Sequence, residues 1–204
     1  MQNRQMTVLL IAVPCAATCP ARGAPLLHIL LAGMQQANRA VFECNGREQE
    51  DRAAPGERTM KARMGTTLTA LLIVGPEAYV ANVGDSRTYL YRDDKLIQIT
   101  EDHSHVAQLV KDGAILPHEV FTHPQRNMIY RSLGDREQVP IDAFYRLLQN
   151  DDVLLLCSDG LWEMAPDQTR ITRILSSRSC RPEIWLAGSC GWRLMAEDTI
   201  ISAW

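Results

Sequence analysis

The sequence predicts an α+β fold, in which helices near the beginning and end of the chain flank antiparallel strands. One apolar run, residues 153–157, is too short for most helices and suits a strand that is buried on both faces. Short β-rich runs separated by Gly and Asp turn signals follow one another between residues 66 and 100, as in an antiparallel sheet. Helical periodicity begins at Pro25 and returns after Pro166, and this segregation of helices from strands is typical of α+β domains.

Length and composition describe an ordinary globular protein. The 204 residues most simply form one domain, and 46% hydrophobic with 22% charged residues is typical of a soluble chain with a sizeable core. A net charge of −3 at pH 7 argues against a nucleic-acid partner. The sequence has no basic run suited to anionic lipid and no apolar stretch of membrane-spanning length, so no membrane partner is expected either.

The cysteines and the N-terminus bear on the cellular compartment. None of the six cysteines forms a C-x-x-C pair, and the five histidines complete no zinc pattern. Cys157 lies in the most core-like strand, where a free thiol acts as a small hydrophobic group. Residues 1–21 faintly resemble a secretory signal, but only Arg4 precedes the apolar run and Pro14 interrupts it early. We therefore expect a cytoplasmic protein with reduced cysteines.

The first half of the chain consists of one predicted helix followed by a series of strands. Apolar residues between Leu27 and Val41 recur at helical spacing, and Pro25 suits a first helical position. Residues 45–62 are polar and indicate a surface loop. The strands predicted from β-branched and apolar runs are residues 66–74, 78–83, 87–92 and 96–100. Because short turns join them, we predict one antiparallel meander.

The second half begins with a short helix and ends with mixed elements. Asp102, His103 and Ser104 provide a cap for a helix over residues 105–111, which Asp112-Gly113 ends. The remaining predicted elements are irregular structure with a small helix at 114–140, strands at 139–144, 153–157 and 199–204, and a helix after Pro166 with Ile171, Ile174 and Leu175 on one face.

Three aspartates stand beside predicted strands and are the candidate metal ligands: Asp85, Asp159 and Asp198. If their strands are neighbours, the carboxylates converge, and Mg²⁺ and Mn²⁺ prefer such oxygen ligands. A pair of these ions makes a bound water nucleophilic and neutralises a phosphoryl group. The alternative for each residue is an aspartate that stabilises a turn.

Five segments carry a resemblance to a known family. They are Met64-Gly65-Thr66-Thr67-Leu68, Val83-Gly84-Asp85-Ser86-Arg87-Thr88-Tyr89, Glu101-Asp102-His103-Ser104, Tyr130-Arg131-Ser132-Leu133-Gly134 and Leu156-Cys157-Ser158-Asp159-Gly160-Leu161-Trp162. In their order and spacing they resemble the metal-dependent protein phosphatases of the PP2C (PPM) type, in particular the bacterial Ser/Thr phosphatases. The resemblance covers residues 26–176.

The resemblance implies both a fold and a chemistry. The fold would be a two-sheet antiparallel β-sandwich flanked by helices, here incomplete, with a two-metal centre between the sheets. Asp159 would be a ligand of the core Mg²⁺ or Mn²⁺ site, Asp198 would match the family's C-terminal ligand, and Asp85 would join Asp159 at a weaker third metal site. Residues 103–133 would form a variable flap beside the active site. No side chain is assigned as the nucleophile, because metal-bound hydroxide would attack phosphoserine or phosphothreonine directly.

The N-terminal part departs from the family pattern. The family's segment with a phosphate-binding Arg and its Asp-Gly-x-Gly-Gly segment, which bridges both metals, have no counterpart, and no Asp or Glu precedes Glu43. We therefore expect a non-family segment at residues 1–24 and a partial phosphatase domain at residues 25–204, divergent at 176–195. This N-terminally truncated or degraded pattern suggests a shifted reading frame or a misassigned gene start, a hypothesis that the encoding DNA would test.

Two functions follow from this mixed pattern. The first is a Ser/Thr phosphoprotein phosphatase whose partners are phosphorylated proteins and a bacterial Ser/Thr kinase. The alternative is a catalytically inactive PP2C-like fragment or pseudophosphatase that serves as a binding or regulatory module. The number of converging carboxylates discriminates between them, because two ions need more ligands than Asp159 and Asp198.

The other polar residues of the motifs have simpler interpretations. His103 and His105 resemble a metal pair or a general acid, but a helix cap at His103 is the preferred interpretation. Arg87 and Arg131 are expected to form structural ion pairs. The side chains to which no chemistry is assigned are Ser86 and Ser158, which lie outside any Gly-x-Ser-x-Gly motif, the packed or edge residue His28, and the core residue Trp162.

Overall fold

In residues 24–50, 63–165, 168–176 and 193–196, which the computed structural model describes, two β-sheets pack face to face. The strands are β1 Leu68–Val74, β2 Glu77–Val83, β3 Arg87–Arg92, β4 Lys95–Gln98, β5 Asp142–Leu147, β6 Val153–Cys157 and β7 Arg193–Ala196. The first sheet has the order β1-β2-β5, and the second has the order β4-β3-β6-β7. Neighbouring strands are antiparallel except for β6 and β7, which are parallel.

The interface between the sheets is an apolar core. Leu71 and Val80 of the first sheet pack in one buried cluster with Leu90, Leu154 and Leu156 of the second. Every residue of β6 is buried, which confirms the strand predicted at residues 153–157. Apolar surface removed from water in this way, at about 25 cal/mol per Å², is the main force that holds the sheets together.

Helices cover the outer face of each sheet. Helix α1, Ala24–Glu50, packs Leu26, Leu30 and Met34 against the first sheet. On the second sheet, the buried residues of the short helix near Trp162 and of the helix near Ile171 form one cluster with β3 and β6. The resulting order of helix, sheet, sheet and helix confirms the predicted sandwich flanked by helices.

Helix α1 is longer than the sequence pattern indicates. A surface loop was predicted from Asn45 onward, whereas the helix continues to Glu50. The prediction was wrong because the Asn45 side chain is buried and hydrogen-bonded to the backbone of Met64 and Gly134, so tertiary contacts hold a polar turn in helical form. Residues 51–62 lie outside the described part.

The four strands between residues 68 and 98 do not form the single meander that was predicted. β1 pairs with β2 in the first sheet and β3 pairs with β4 in the second, so the chain changes sheets at residues 84–86. Gly84 makes this crossing possible, since its φ is +106° and a Cβ there would lie 2.3 Å from Cγ2 of Thr67. Both strands around the crossing are buried almost throughout, and each fills the inter-sheet core from its own side.

The flap, residues 103–133, begins with helix α2, His105–Lys111, as predicted. Ser104 is its N-cap, and the Ser104 Oγ accepts a hydrogen bond from the Ala107 N–H. A 3₁₀ helix at Pro117–Thr122 follows, in agreement with the predicted small helix. The strand predicted at residues 139–144 lies a few residues later as β5, whose alternating burial is typical of a strand at the edge of a sheet.

The C-terminal elements are two short helices and a strand. Helix α3, Asp159–Trp162, follows β6 directly, and helix α4, Thr169–Ser176, confirms the helix predicted after Pro166. Among the described residues, no helix combines the length and apolar character needed to cross a membrane. Within the described residues, neither Cys44 nor Cys157 forms a disulfide. The strand predicted at residues 199–204 lies outside the described part.

Candidate metal centre

Asp85 and Asp159 lie at the same end of two neighbouring strands. β3 and β6 are antiparallel, with Arg87 paired to Cys157. Asp85 precedes Arg87 by two positions and Asp159 follows Cys157 by two positions. In an antiparallel pair this register carries both residues to one end of the sheet. The structure therefore brings together two of the three aspartates that the sequence singled out.

The Asp85 carboxylate is buried among negative charges. Only 4% of the residue is exposed to solvent. Burial raises the pKa of Asp85 to about 6, the charges of Asp159 and Asp102 add to the effect, and Arg87 opposes it. A carboxylate whose ionised form is disfavoured in this way gains most from a bound divalent cation, which supplies the missing positive charge.

Arg87 is committed to a different carboxylate. Its Nε lies 3.0 Å from Asp102 Oδ1, its Nη2 donates to Asp102 Oδ2 at 2.6 Å, and its Nη1 donates to the Tyr89 hydroxyl at 2.9 Å. The guanidinium also stacks 3.7 Å from the centre of the Trp162 ring. The structural ion pair predicted for Arg87 is confirmed, and its partner Asp102 is a residue that the sequence suggested only as part of a helix cap.

Trp162 ties the two acidic turns to each other. Asp159 opens α3, and Trp162 stands in the same short helix. The indole Nε1 of Trp162 donates to the carbonyl oxygen of Asp85 at 3.2 Å. Because Trp162 is buried in the outer core of the second sheet, as predicted, the packing of one aromatic ring sets the position of both turns.

Asp198, the third predicted ligand, lies outside the described residues. Strand β7 ends at Ala196, two positions before Asp198, and Ala196 pairs with Leu156. Because β7 is parallel to β6, it ends at the same end of the sheet as the strand that leads to Asp159. The ligand role of Asp198 stays a prediction.

His103 is neither the cap of the flap helix nor part of a metal pair. Its buried ring accepts a hydrogen bond at Nδ1 from the Gly84 N–H at 2.9 Å, and its Nε2 lies 2.9 Å from Asp142 Oδ2. The preferred prediction was wrong because both ring nitrogens are engaged in tertiary contacts, and Ser104 caps the helix instead. Burial lowers the pKa of His103 and so favours the neutral ring. The Asp142 carboxylate acts in the opposite direction, but the effect of burial is larger.

Arg131 forms the second predicted ion pair. Its Nη1 donates to Asp142 Oδ1 at 2.7 Å, next to the contact between Asp142 and His103. Partial burial works to raise the pKa of Asp142, but the hydrogen bonds from His103 and Arg131 outweigh it and keep the pKa below its ordinary value. The Asp142 carboxylate is therefore ionised and joins β5 to the end of the flap.

Two buried asparagines on α1 hold the backbone of two of the recognised motifs. Asn38 donates to the carbonyl oxygens of residues 136–137, and its Oδ1 accepts from the Gly134 N–H at 2.9 Å. Asn45 bonds to both the N–H and the carbonyl of Met64, each at 2.8 Å. In the sequence, Asn38 falls within the predicted first helix and Asn45 at the start of the predicted loop. Their spacing of seven positions, two helical turns, is the signal that could have paired them.

The described residues fit one divalent cation. Asp85 and Asp159 present oxygen ligands at one end of the sheet, and the nearby cation Arg87 already has its own carboxylate partner. Across the described ranges, no three His, Cys, Asp or Glu side chains converge. The donor set therefore suits a single Mg²⁺ or Mn²⁺ ion that keeps several waters, and it does not complete a two-metal centre.

The comparisons relate this helix-flanked sandwich, with its two acidic turns at one end of the second sheet, to the PP2C-type protein phosphatases. Residues 31–108 match the family model of Protein phosphatase 2C. The chain is 44% identical to the Serine/threonine phosphatase stp of Listeria monocytogenes over 115 residues, which are 56% of this chain and 45% of the Listeria protein. The chain thus spans less than half the length of that relative.

Solved structures extend the likeness over the described core. Serine/threonine phosphatase Stp1 from Staphylococcus aureus superposes with a TM-score of 0.66 at 34% identity, covering 79% of this chain and 59% of that one. The catalytic domain of the phosphatase PstP, in complex with two manganese ions, has a TM-score of 0.59 at 34% identity and covers 76% of this chain and 60% of that one. Over these segments the chain is therefore similar to the PP2C-type serine/threonine phosphatases of bacteria.

Proposed function

We propose that the chain is part of a Mg²⁺- or Mn²⁺-dependent phosphatase that removes phosphate from phosphoserine and phosphothreonine in proteins. The observation that carries the proposal is the Asp85–Asp159 pair, two carboxylates at one end of neighbouring strands whose repulsion helps to raise the pKa of Asp85 to about 6. Its partners would be phosphorylated proteins, in particular the substrates of a bacterial Ser/Thr kinase. The activities of the relatives support this class of reaction.

In this proposal each residue around the pair has a distinct task. Asp85 and Asp159 hold a divalent cation, which when bound activates water and neutralises phosphoryl charge. Asp102 pairs with Arg87 and so keeps the guanidinium from taking the place of the cation at Asp85. Trp162 fixes the spacing of the two acidic turns, because it lies in the same short helix as Asp159 and donates to the backbone of Asp85. Asp198 is the candidate for a further ligand.

Cation binding and turnover can be tested on the same chain. We expect calorimetric titration with Mn²⁺ to detect binding, and Asp159→Asn to weaken it by at least about tenfold, because one of two carboxylates loses its charge. Turnover of a phosphothreonine peptide is expected to be weak, since the described residues supply only this pair, and to vanish in Asp159→Asn.

The matched control is Asp151→Asn, an exposed aspartate that precedes the same strand. It should leave both Mn²⁺ affinity and turnover unchanged. Equal Mn²⁺ binding by the wild-type chain and Asp159→Asn would remove the basis of the proposal. Rapid turnover by the wild-type chain would instead overturn the expectation that its activity is weak.

One observation favours a second candidate, a non-catalytic binding module. Throughout the described ranges, no third carboxylate joins Asp85 and Asp159, whereas a two-metal centre needs ligands for both ions. Under this alternative the chain binds phosphoproteins without hydrolysing them. Saturable binding of a phosphothreonine peptide with no release of phosphate at any Mn²⁺ concentration would decide for it.

A further inference from the structure

His103 occupies the centre of a buried polar cluster beside the acidic pair. The residue is 2% exposed, although a histidine side chain is rarely excluded from water without specific partners. Its Nδ1 lies 2.9 Å from the Gly84 nitrogen. Because a backbone N–H can only donate, Nδ1 must be the acceptor, and the single ring proton of the neutral form sits on Nε2. From there it donates to Asp142 Oδ2 at 2.9 Å.

The backbone of His103 also binds the carbonyl group of Gly84. The His103 N–H donates to the Gly84 carbonyl oxygen at 3.0 Å, and Asn82 Nδ2 donates to that oxygen at 3.2 Å. Both backbone groups of Gly84 are thus held by His103. Gly84 has a φ of +106° and immediately precedes Asp85, so its orientation determines the direction in which the chain enters Asp85.

His103 is connected to the far end of the flap as well. The Tyr130 N–H donates to the His103 carbonyl oxygen at 3.0 Å. Arg131, the next residue, donates through Nη1 to the same Asp142 carboxylate that receives the His103 proton, and this Nη1 also lies 3.0 Å from His103 Nε2. The turn that carries Asp85 and the end of the flap therefore meet at one imidazole ring.

We propose that His103 is the positioning residue of the cation site: its Nδ1 holds the Gly84 N–H and thereby sets the Gly84–Asp85 turn in the conformation that directs the Asp85 carboxylate to Asp159. This proposal rests on the proposed function for the identity of the ligand, but the contact with Gly84 is independent of it. Residues that orient a metal ligand commonly change metal affinity by 10- to 100-fold when they are replaced.

Two substitutions separate the contacts of the ring. The amide oxygen of Asn occupies about the position of Nδ1, so His103→Asn retains an acceptor for the Gly84 N–H and loses the contact with Asp142. The amide of Gln reaches about the position of Nε2, so His103→Gln retains the donor to Asp142 and loses the acceptor for Gly84. Both variants lose the aromatic ring, which makes them controls for each other.

The first readout is independent of any metal. In ¹H–¹⁵N spectra we expect His103→Gln to accelerate hydrogen exchange at the Gly84 amide and to shift the Trp162 indole resonance, because that indole donates to the Asp85 carbonyl. We expect His103→Asn to leave both signals close to wild type. If His103→Gln leaves the Gly84 amide protected and the indole unmoved, the proposal is overturned.

The second readout is the Mn²⁺ affinity. We expect His103→Gln to weaken Mn²⁺ binding by roughly tenfold or more, and His103→Asn to change it by less than about threefold. Equal losses in the two variants would mean that Gly84 is not the contact that matters, and would overturn the proposal. A wild-type chain that binds no Mn²⁺ would instead refute the proposed function, and the spectra would then decide on the role of His103.

Discussion

At the scale of single residues, the environment of Asp85 disfavours the ionised form of its carboxyl group. The carboxylate is buried, and its strongest neighbouring charges are the carboxylates of Asp159 and Asp102. The nearby guanidinium of Arg87 is turned to Asp102, with which it forms a short bidentate pair. Without a metal, folding must therefore place an ionised Asp85 in an unfavourable site, or protonate it.

This environment predicts a pH-dependent stability in the presence of EDTA. The pKa of Asp85 is about 6 in the folded chain, whereas its ordinary value is 3.8. The folded state therefore binds the proton more tightly than the unfolded state does, and the free energy of unfolding falls as the pH rises from 4 to 6. Asp85→Asn has no such cost. By urea denaturation at pH 4, 5, 6 and 8, we expect the variant to gain about 2–3 kcal/mol over wild type between pH 4 and pH 6, and to keep that gain at pH 8.

The control for this prediction is Asp93→Asn, which replaces an exposed aspartate in the turn between β3 and β4. Its stability difference from wild type should not change with pH. A difference for Asp85→Asn that is equally independent of pH would show that the Asp85 carboxyl is not strained in the folded chain. Saturating Mn²⁺ should reverse the order at pH 8, because only the wild type keeps both carboxylates.

At the scale of elements, α1 both covers a sheet and clamps two loops. Its apolar residues pack on the first sheet, while Asn38 and Asn45 satisfy backbone groups of the segments around Gly134 and Met64. Gly134 has a φ of +87°, and a Cβ there would lie 2.4 Å from Cγ1 of Val41, so the loop fits against the helix only with glycine at this position. The motif segments that contain Gly134 and Met64 thus pack against helix α1 and are held there by its asparagines.

Because Asn38 holds the loop around Gly134, we expect its truncation to alanine to lower the free energy of unfolding strongly. Asn38→Ala removes the partner of the buried Gly134 N–H and of the half-buried carbonyls of residues 136–137, and an unsatisfied buried group costs about 1–3 kcal/mol. We expect a total loss of roughly 2–4 kcal/mol in the free energy of unfolding, measured by urea denaturation.

Gln36→Ala is the matched control, since Gln36 is an exposed amide side chain two positions earlier on the same helix. It should change stability by no more than about 0.5 kcal/mol. Similar effects of the two substitutions would mean that water replaces the protein partner of Asn38, and that the helix does not clamp the loop.

At the scale of the whole molecule, the inter-sheet core supports the two strands that flank Asp85 and Asp159. Asp85 comes just before β3 and Asp159 just after β6, and apolar residues of both strands pack against the first sheet. The flap also rests on this body, because Phe121 packs edge-on against Trp162 with ring centres 6.2 Å apart.

A cavity in this core should destabilise the whole sandwich. Leu71 is fully buried between the sheets, and Leu71→Ala is expected to cost about 2–5 kcal/mol in urea denaturation, from lost apolar burial and the cavity left behind. Leu147→Ala provides the comparison, because Leu147 is 57% exposed on β5 and should cost less than about 1 kcal/mol. Equal costs would mean that the two sheets do not share a tightly packed core.

Some elements and residue roles could be predicted from the sequence, and others could not. The strands at 87–92 and 153–157 and the helix at 105–111 match the structure because their apolar runs and turn residues are local signals. The structural role of Arg87 was also predicted, although not its pairing with Asp102. The extension of α1 through Asn45 and the bonding of His103 were missed, because each depends on backbone groups far away in the sequence.

The sequence by itself determined the α+β class, the order of the elements, the resemblance to the PP2C-type phosphatases and the candidate acidic residues. Periodicity and turn chemistry act over a few residues, and motifs are read directly from the chain. Only the tertiary structure decided that the four central strands divide between two sheets, that Asp85 and Asp159 come to the same end of neighbouring strands, and that His103 holds Gly84. Each of these features depends on contacts between residues that are far apart in the sequence. Such contacts are selected by the packing of the two sheets and by the need to satisfy buried polar groups.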